Sequence, residues 1–339
     1  MGLNIEGIAK LAGVSRSTVS RIISGKGYAS PETRERVLAV IEQMQYKPNA
    51  VARAMVSQRT NSIGVIVFRE RQPIVSHPLY GKLIDAILPA AESLGYSVFL
   101  ETDQEMSLRS TDFMLEKRVD GLILISRLRK NVIDYVKKFD VPYVMVNGST
   151  DDPDVIHLVS DDESGGRQAA AHLYGLGHRK IGILAGPQEH RSHNLRLEGF
   201  LAWFEERGGL EGLTVVYSPE SNFEQGRRLM AEHWEDFQRQ DCTAVFATND
   251  MLALGAMRVL SERSVAVPGQ VAVMGFDGTD YAAVCSPSLT TVQVDTQRMG
   301  TDAVAMLDGL VRREDELPRL REYECKLIVR QSTSLPNEG

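Results

Sequence analysis

Arg16, Ser17, Ser20 and Arg21 stand close together in the stretch IAKLAGVSRSTVSRII, residues 8–23. Arginine carries a rigid fork of donors that can bond the paired acceptors on a guanine edge, and hydroxyls bond bases or phosphate. Ser15 and Thr18 sit where a helix would begin, a place that favours phosphate. This chemistry works only if a helix presents those side chains together. The spacing predicts a first helix over residues 5–12, capped by Asn4, and a second over residues 16–23, capped by Ser15. Ala9 is small enough for a close helix crossing, and Gly13 suits the positive φ of a tight turn. Val19 and Ile22, three apart, face inward and leave the arginines and serines outside. A third helix starts at Ser30 and Pro31, a cap followed by proline at the first helical position. Its apolar residues Val37, Val40, Ile41 and Met44 recur at helical spacing.

Charge supports the same reading. The 339-residue chain has a formal net charge of -7, yet its first sixty residues hold nine Lys/Arg and four acids, a local +5. The rest of the chain carries -12, so a small basic head on an acidic body is expected to meet a polyanion. Hydrophobic residues at 43% and charged residues at 24% exclude a disordered or collagen-like chain. No apolar run approaches the roughly 18–20 residues of a membrane span. No basic segment followed by an apolar one opens the sequence, so no signal peptide is expected. Cys242, Cys285 and Cys325 are scattered and lack a nearby histidine pair. They read as reduced thiols in a cytoplasmic protein, with no metal site.

Behind the head, Pro48 breaks the third helix and Asn49 can cap a short one over residues 50–56. So short a helix is marginal in water, which predicts a linker ordered only when something holds it. From Ser62 the pattern changes. SIGVIVF, YSVFLE, GLILIS, PYVMVN, KIGILAG, AVFATN, VAVMGFD, LTTVQVD and ECKLIVR read as strands, with amphipathic helical stretches between most of them. The fold class is therefore α/β, with two doubly wound parallel-sheet lobes behind an all-α head. GxGxxG after the first strand, a P-loop, GxSxG and HExxH are all missing, so no enzyme and no cofactor is expected. A solute-binding receptor fits the lobes but not the basic head.

IAKLAGVSRSTVSR, YKPNAVARAM, LGHRKIGILAGP, LRLEGF, ATNDMLALGAM, VMGFDGTD and SPSLTTV, in this order, resemble the LacI (lactose-repressor) family of bacterial transcription regulators over nearly the whole chain. The resemblance implies a helix-turn-helix head over residues 1–48, a hinge helix and linker over 49–61, and a periplasmic-binding-protein-like core over 62–339. The first lobe is expected at about 62–160 and 291–321, and the second at about 161–290 and 322–339. It implies a homodimer on palindromic operator DNA, and the chain end lacks the leucine heptads of a tetramer. Arg16, Ser17 and Arg21 match base-reading positions. Asn49, Val51, Ala52, Arg53 and Met55 match the hinge, with Met55 where the family usually wedges a leucine into the minor groove.

An effector is expected in the cleft between lobes, at the carboxyl ends of strands. Arg196 and Asp277 match the positions that most often hold it; alternatively the two pair as a structural salt bridge between lobes. Asn147 and Asn249 end strands, Tyr80, Phe68 and Phe223 can stack on a ring, and His190 and Ser192 follow a strand into the cleft wall. Asp250 is expected to cap the helix beginning near Met251. These groups suit a sugar. A nucleobase is the alternative, although His190 stands where the purine-sensing branch has arginine.

Overall fold

The computed structural model describes residues 5–24, 28–44, 59–67, 78–101, 116, 119–126, 130–148, 155–314 and 316–333. Packing divides the chain into two units, Met1–Asn61 and Ser62–Gly339. Six of the sequence-derived candidates, Asn49, Val51, Ala52, Arg53, Met55 and Phe68, lie outside the described residues, as does the Asn4 cap.

The first unit holds α1 (Ile5–Ala12), α2 (Arg16–Ser24) and α3 (Pro31–Gln43). Their apolar stripes meet in one small core of Ile8, Ala9, Ala12, Val19, Ile22 and Val37. Gly13 turns the chain between α1 and α2 at φ +64, a conformation that a side chain would oppose. Ser15 caps α2 by accepting from the Thr18 amide at 3.2 Å. Ser30 caps α3 through the Thr33 amide, with Pro31 at the first helical position.

The second unit is two parallel sheets with helices on their faces. Among the described residues each has six strands. The first contains β1 (Ser62–Val67), β2 (Ser97–Glu101), β3 (Gly121–Ile125), β4 (Tyr143–Val146), β5 (Ile156–Ser160) and β11 (Leu320–Tyr323), in the order β11-β5-β4-β3-β1-β2. The second contains β6 (Ile181–Ala185), β7 (Leu213–Tyr217), β8 (Ala244–Ala247), β9 (Ala272–Asp277), β10 (Thr290–Gln293) and β12 (Lys326–Ile328), ordered β12-β10-β9-β8-β6-β7. β12 alone runs antiparallel to its neighbour. The interior strands β1 and β3 are wholly buried, which explains their unbroken apolar runs.

Helices α4 (Pro78–Ser93), α5 (Lys130–Val136) and α11 (Thr296–Arg312) belong to the first lobe. Helices α6 (Asp162–Gly175), α7 (Arg191–Glu205), α8 (Phe223–Arg239), α9 (Asp250–Glu262) and α10 (Asp280–Val284) belong to the second. The chain crosses between lobes after β5, β10 and β11. Two crossings end on aspartate caps: Asp161 accepts from the Ser164 amide to start α6, and Asp295 from the Arg298 amide to start α11, both at 3.0 Å. β10 pairs with β9, so the return to the first lobe comes after Gln293, slightly beyond the expected 291. β11 likewise carries the first lobe through Tyr323 rather than 321. Strands β5, β7 and β11 were not foreseen. β7 and β11 lie at sheet edges, where half-exposed residues break up the apolar signal, and β5 has a histidine at its second position. No helix among the described residues is long and apolar enough to cross a membrane.

Two glycines let α6 and α7 cross at backbone contact. A Cβ on Gly166 would strike the Arg196 carbonyl, and one on Gly199 the Glu163 carbonyl. This crossing sets the distance from the first turn of α6 to the middle of α7. Gly166→Ala is expected to force the helices apart and cost about 1–3 kcal/mol in urea unfolding. A midpoint equal to wild type would show that the helices part freely.

Candidate functional site

In the head, α2 turns Val19 and Ile22 into the core and leaves Arg16, Ser17 and Arg21 exposed, with Ser20 half-buried. The Ser15 hydroxyl lies 2.7 Å from that of Ser17 and 2.8 Å from that of Thr18, so three hydroxyls cluster at the helix start. Arg16 approaches Glu6 at 3.6 Å, but both side chains are mostly exposed, and such a pair holds an arginine only weakly. The face is thus basic, hydroxyl-rich and ordered from beneath.

In the second unit a cavity opens between the lobes at the carboxyl ends of the strands. The first lobe contributes Tyr80, Ser126, Asn147, Gly148 and Val159 to its wall. The second contributes Asp162, Glu189, His190, Arg191 and Ser192. Of the sequence-derived candidates, Tyr80, Asn147, His190 and Ser192 line this wall. The Tyr80 hydroxyl donates to Ser126 Oγ at 3.0 Å. Ser126 and Asn147 end β3 and β4 with φ of 74° and 53°, left-handed conformations seldom found outside glycine. Phe223 begins α8 behind its cap Asn222 and is not on this wall.

Arg196 and Asp277 reach the cavity through Asp162. Arg196, only 2% exposed, donates from Nε to Asp162 Oδ1 and from Nη1 to Asp277 Oδ1, each at 2.8 Å. Nη1 also donates to the Thr248 carbonyl at 2.8 Å, and the guanidinium lies 3.9 Å from the centre of the Phe276 ring. The expected pair therefore exists, but inside one lobe rather than between lobes. Burial by itself would lower the Arg196 pKa; the carboxylates of Asp162 and Asp277 overcome it and raise the pKa, keeping the guanidinium charged. Burial raises Asp162 in spite of Arg196.

Asn249, not Asp250, caps α9. Its Oδ1 accepts from the Leu252 amide at 2.9 Å and its Nδ2 donates to the Ser221 carbonyl at 3.0 Å. Asn249 has the extended backbone a cap requires, whereas Asp250 is already helical. Asp250 instead accepts from the Thr279 amide at 2.7 Å, the Thr279 hydroxyl at 2.9 Å and the Thr291 hydroxyl at 2.6 Å. These bonds hold the turn after Asp277, whose own φ is 113°, a strained value for any side chain. Burial, aided by the Asp277 charge, pushes Asp250 up to about 7.

Sequence reading missed Ser126, Gly148, Val159, Asp162, Glu189 and Arg191 on the wall. Ser126 had a usable signal, since it ends an apolar strand as Asn147 does. Asp162 had none once β5 went unseen. Burial raises all three thiols, Cys242 to about 11 and Cys325 to about 12, so none is a thiolate near neutrality. No group of side chains able to hold a metal ion occurs among the described residues.

Two family models match the chain: bacterial regulatory proteins of the lacI family at residues 4–49, and a periplasmic binding protein-like domain at residues 170–333. The transcriptional regulator CelR of Thermobifida fusca is 32% identical over 97% of both chains. A structure of a CelR–cellobiose complex aligns with a TM-score of 0.73, covering 97% of this chain and 99% of that one at 30% identity. The repressor PurR of Haemophilus influenzae (strain PittEE) is 33% identical over 97% of this chain and 98% of its own. The lac repressor dimer bound to operator and the anti-inducer ONPF gives a TM-score of 0.86, covering 98% and 99% at 26% identity.

The Asp250 carboxyl predicts a pH dependence. Its folded pKa of about 7 lies above the ordinary value of 3.8, so the folded state binds the extra proton between those values. The stability it contributes is complete below about pH 4 and is lost as pH rises through about 7. Asp250→Asn is expected to flatten the fall in melting temperature over that window. An unchanged slope would place the titration elsewhere.

Proposed function

The chain belongs to the LacI family of bacterial regulatory proteins, DNA-binding transcription regulators with an effector-binding core rather than enzymes, and from that premise we propose that it is a repressor acting in the cytoplasm. It binds a palindromic operator as a homodimer and is released or retained by a small molecule, most simply a sugar, in the cleft between the lobes. The observation that carries the sugar reading is the charge state of the cleft. Arg196 is already neutralised by Asp162 and Asp277, the wall charges of Glu189 and Arg191 are opposite in sign, and Tyr80, Ser126, Asn147 and Ser192 offer neutral donors and acceptors. Such a wall suits a neutral, polyhydroxylated ligand. The likeness to CelR, whose structure is a complex with cellobiose, agrees with it. PurR is as similar in sequence, so a nucleobase is the competing effector. Against it, Tyr80 is the only Phe, Tyr or Trp among the described residues of the wall, and a flat base wants aromatic faces.

On DNA, two copies of α2 enter successive major grooves with Arg16, Ser17 and Arg21 toward the bases and Ser15, Thr18 and Ser20 toward base or phosphate. Between them Asn49, Val51, Ala52, Arg53 and Met55 form the hinge in the minor groove, Met55 as the wedge. Exposed Leu88 and Leu94 at α4, with Phe99 and Leu100 on the edge strand β2, support a second copy covering this side of the first lobe. The effector acts by binding one lobe arrangement better than the other.

A thermal-shift panel of sugars and nucleobases on the whole protein tests the effector class, since a ligand of the folded state raises its melting temperature. A shift with nucleobases alone would overturn the sugar reading. Arg21→Ala is expected to relax base preference at one operator position and to weaken binding by about 1–3 kcal/mol. Competition among operator variants checks this, and an intact preference removes Arg21 from the readout. Asp277→Asn keeps an oxygen acceptor for the Arg196 Nη1 donor and leaves the Asp162 carboxylate beside it, so the fold and DNA binding should survive while the effector response disappears. A normal response in that variant would remove Asp277 from the effector site.

A further inference from the structure

Lys82 stands on α4 in the first lobe, and both of its partners stand in the second. Its Nζ lies 2.7 Å from Asp280 Oδ1 and donates to the Gly278 carbonyl at 3.0 Å. Gly278 directly follows Asp277, and Asp280 opens α10. Both contacts therefore fall on the turn that presents Asp277 to Arg196. From within the second lobe the same turn is held by Asp250 through Thr279, and by Thr291, whose hydroxyl accepts from the Gly278 amide at 3.2 Å. Those bonds move with their own lobe, whereas the Lys82 bonds do not.

We propose that Lys82 is a positioning residue for the effector cleft, a latch that ties the first lobe to the Asp277 turn of the second. The proposal deepens the reading of this cleft as the effector site and rests on it. The tie is weak by construction. The lysine side chain is 28% exposed and Asp280 is 87% exposed, so salt screens the pair and water competes for both ends. A latch between two lobe arrangements has to be weak, because an effector can shift the balance only by its own difference in affinity for the two. Closing the lobes brings the ammonium onto the turn and fixes Asp277 where Arg196 meets it. Opening them removes Lys82 and leaves the strained Asp277 backbone to the second lobe's own bonds.

Amide hydrogen exchange on the whole protein tests this without effector or DNA, so its outcome is independent of whether the ligand is a sugar. Peptides over residues 276–289 report the turn, and peptides over residues 244–252 report the neighbouring β8. In wild type, raising NaCl from about 0.05 M to about 1 M is expected to speed exchange of the turn by roughly three- to fivefold, the scale of an exposed ion pair. Lys82→Met should show the fast rate at both salt concentrations, Lys82→Arg should restore the slow rate at low salt, and β8 should exchange alike in all three. A turn that exchanges at the wild-type rate in Lys82→Met at low salt overturns the latch. So does a parallel rise in β8, which would mean general loss of stability, and so does a failure of arginine to restore the slow rate.

Discussion

Arg196 is a full positive charge with almost no access to water, and the second lobe is arranged around keeping it satisfied. Its donors reach an aspartate at the start of α6, an aspartate at the end of β9 and a carbonyl at the end of β8, and its flat face lies on Phe276. Desolvating a guanidinium is so costly that removing one partner of such a pair leaves a worse state than never having buried it. The three chain segments that carry those partners must therefore be in register before any of them is stable. The glycine-mediated crossing of α6 and α7 serves this purpose, since a wider crossing would move Asp162 away from Arg196.

The same cluster holds an excess of carboxylates. Asp162 and Asp277 share one arginine and Asp250 lies within reach of the Asp277 charge, and burial raises the pKa of both Asp162 and Asp250. Repulsion is relieved by hydroxyl and amide donors from Thr279 and Thr291 and by a proton on Asp250 at mildly acid pH. Backbone strain gathers in the same region. Ser126, Asn147 and Asp277 all end strands in left-handed conformations, and all three point their chain ends toward the cleft side of the sheets. Strain of this kind persists where surrounding bonds over-determine it, and here they belong to both lobes.

Much of the head was legible without tertiary information, because its signals are local. Gly13, Ser15, Ser30 and Pro31 act on neighbouring backbone, and Val19 and Ile22 follow a helical period. The interior strands were legible as apolar runs except β5, whose pattern His157 interrupts. Of the edge strands, β2 and β12 were legible but β7 and β11 were not, since half-exposed residues break up their apolar pattern and Leu320–Tyr323 carries charge. The cleft was read in part. Tyr80, Asn147, His190 and Ser192 line the wall, whereas Arg196, Asp277 and Asn249 are engaged with protein groups beneath it. Asn249 takes the cap expected of Asp250 because either residue type can cap a helix, and only the backbone angle at each position decides between them.

Residue order alone specified the three-helix head, its exposed basic face, the alternation of strands with helices and the resemblance to a family, all consequences of short-range spacing and side-chain type. The folded chain decided which aspartates share Arg196, that the shared pair lies within one lobe, that Asp162 and Ser126 belong to the cleft, and that a lysine from one lobe reaches the Asp277 turn of the other. Those facts depend on groups brought together from far apart in the sequence at hydrogen-bond distance. Distance and burial, not residue type, set the cost of a charge and the partner it takes.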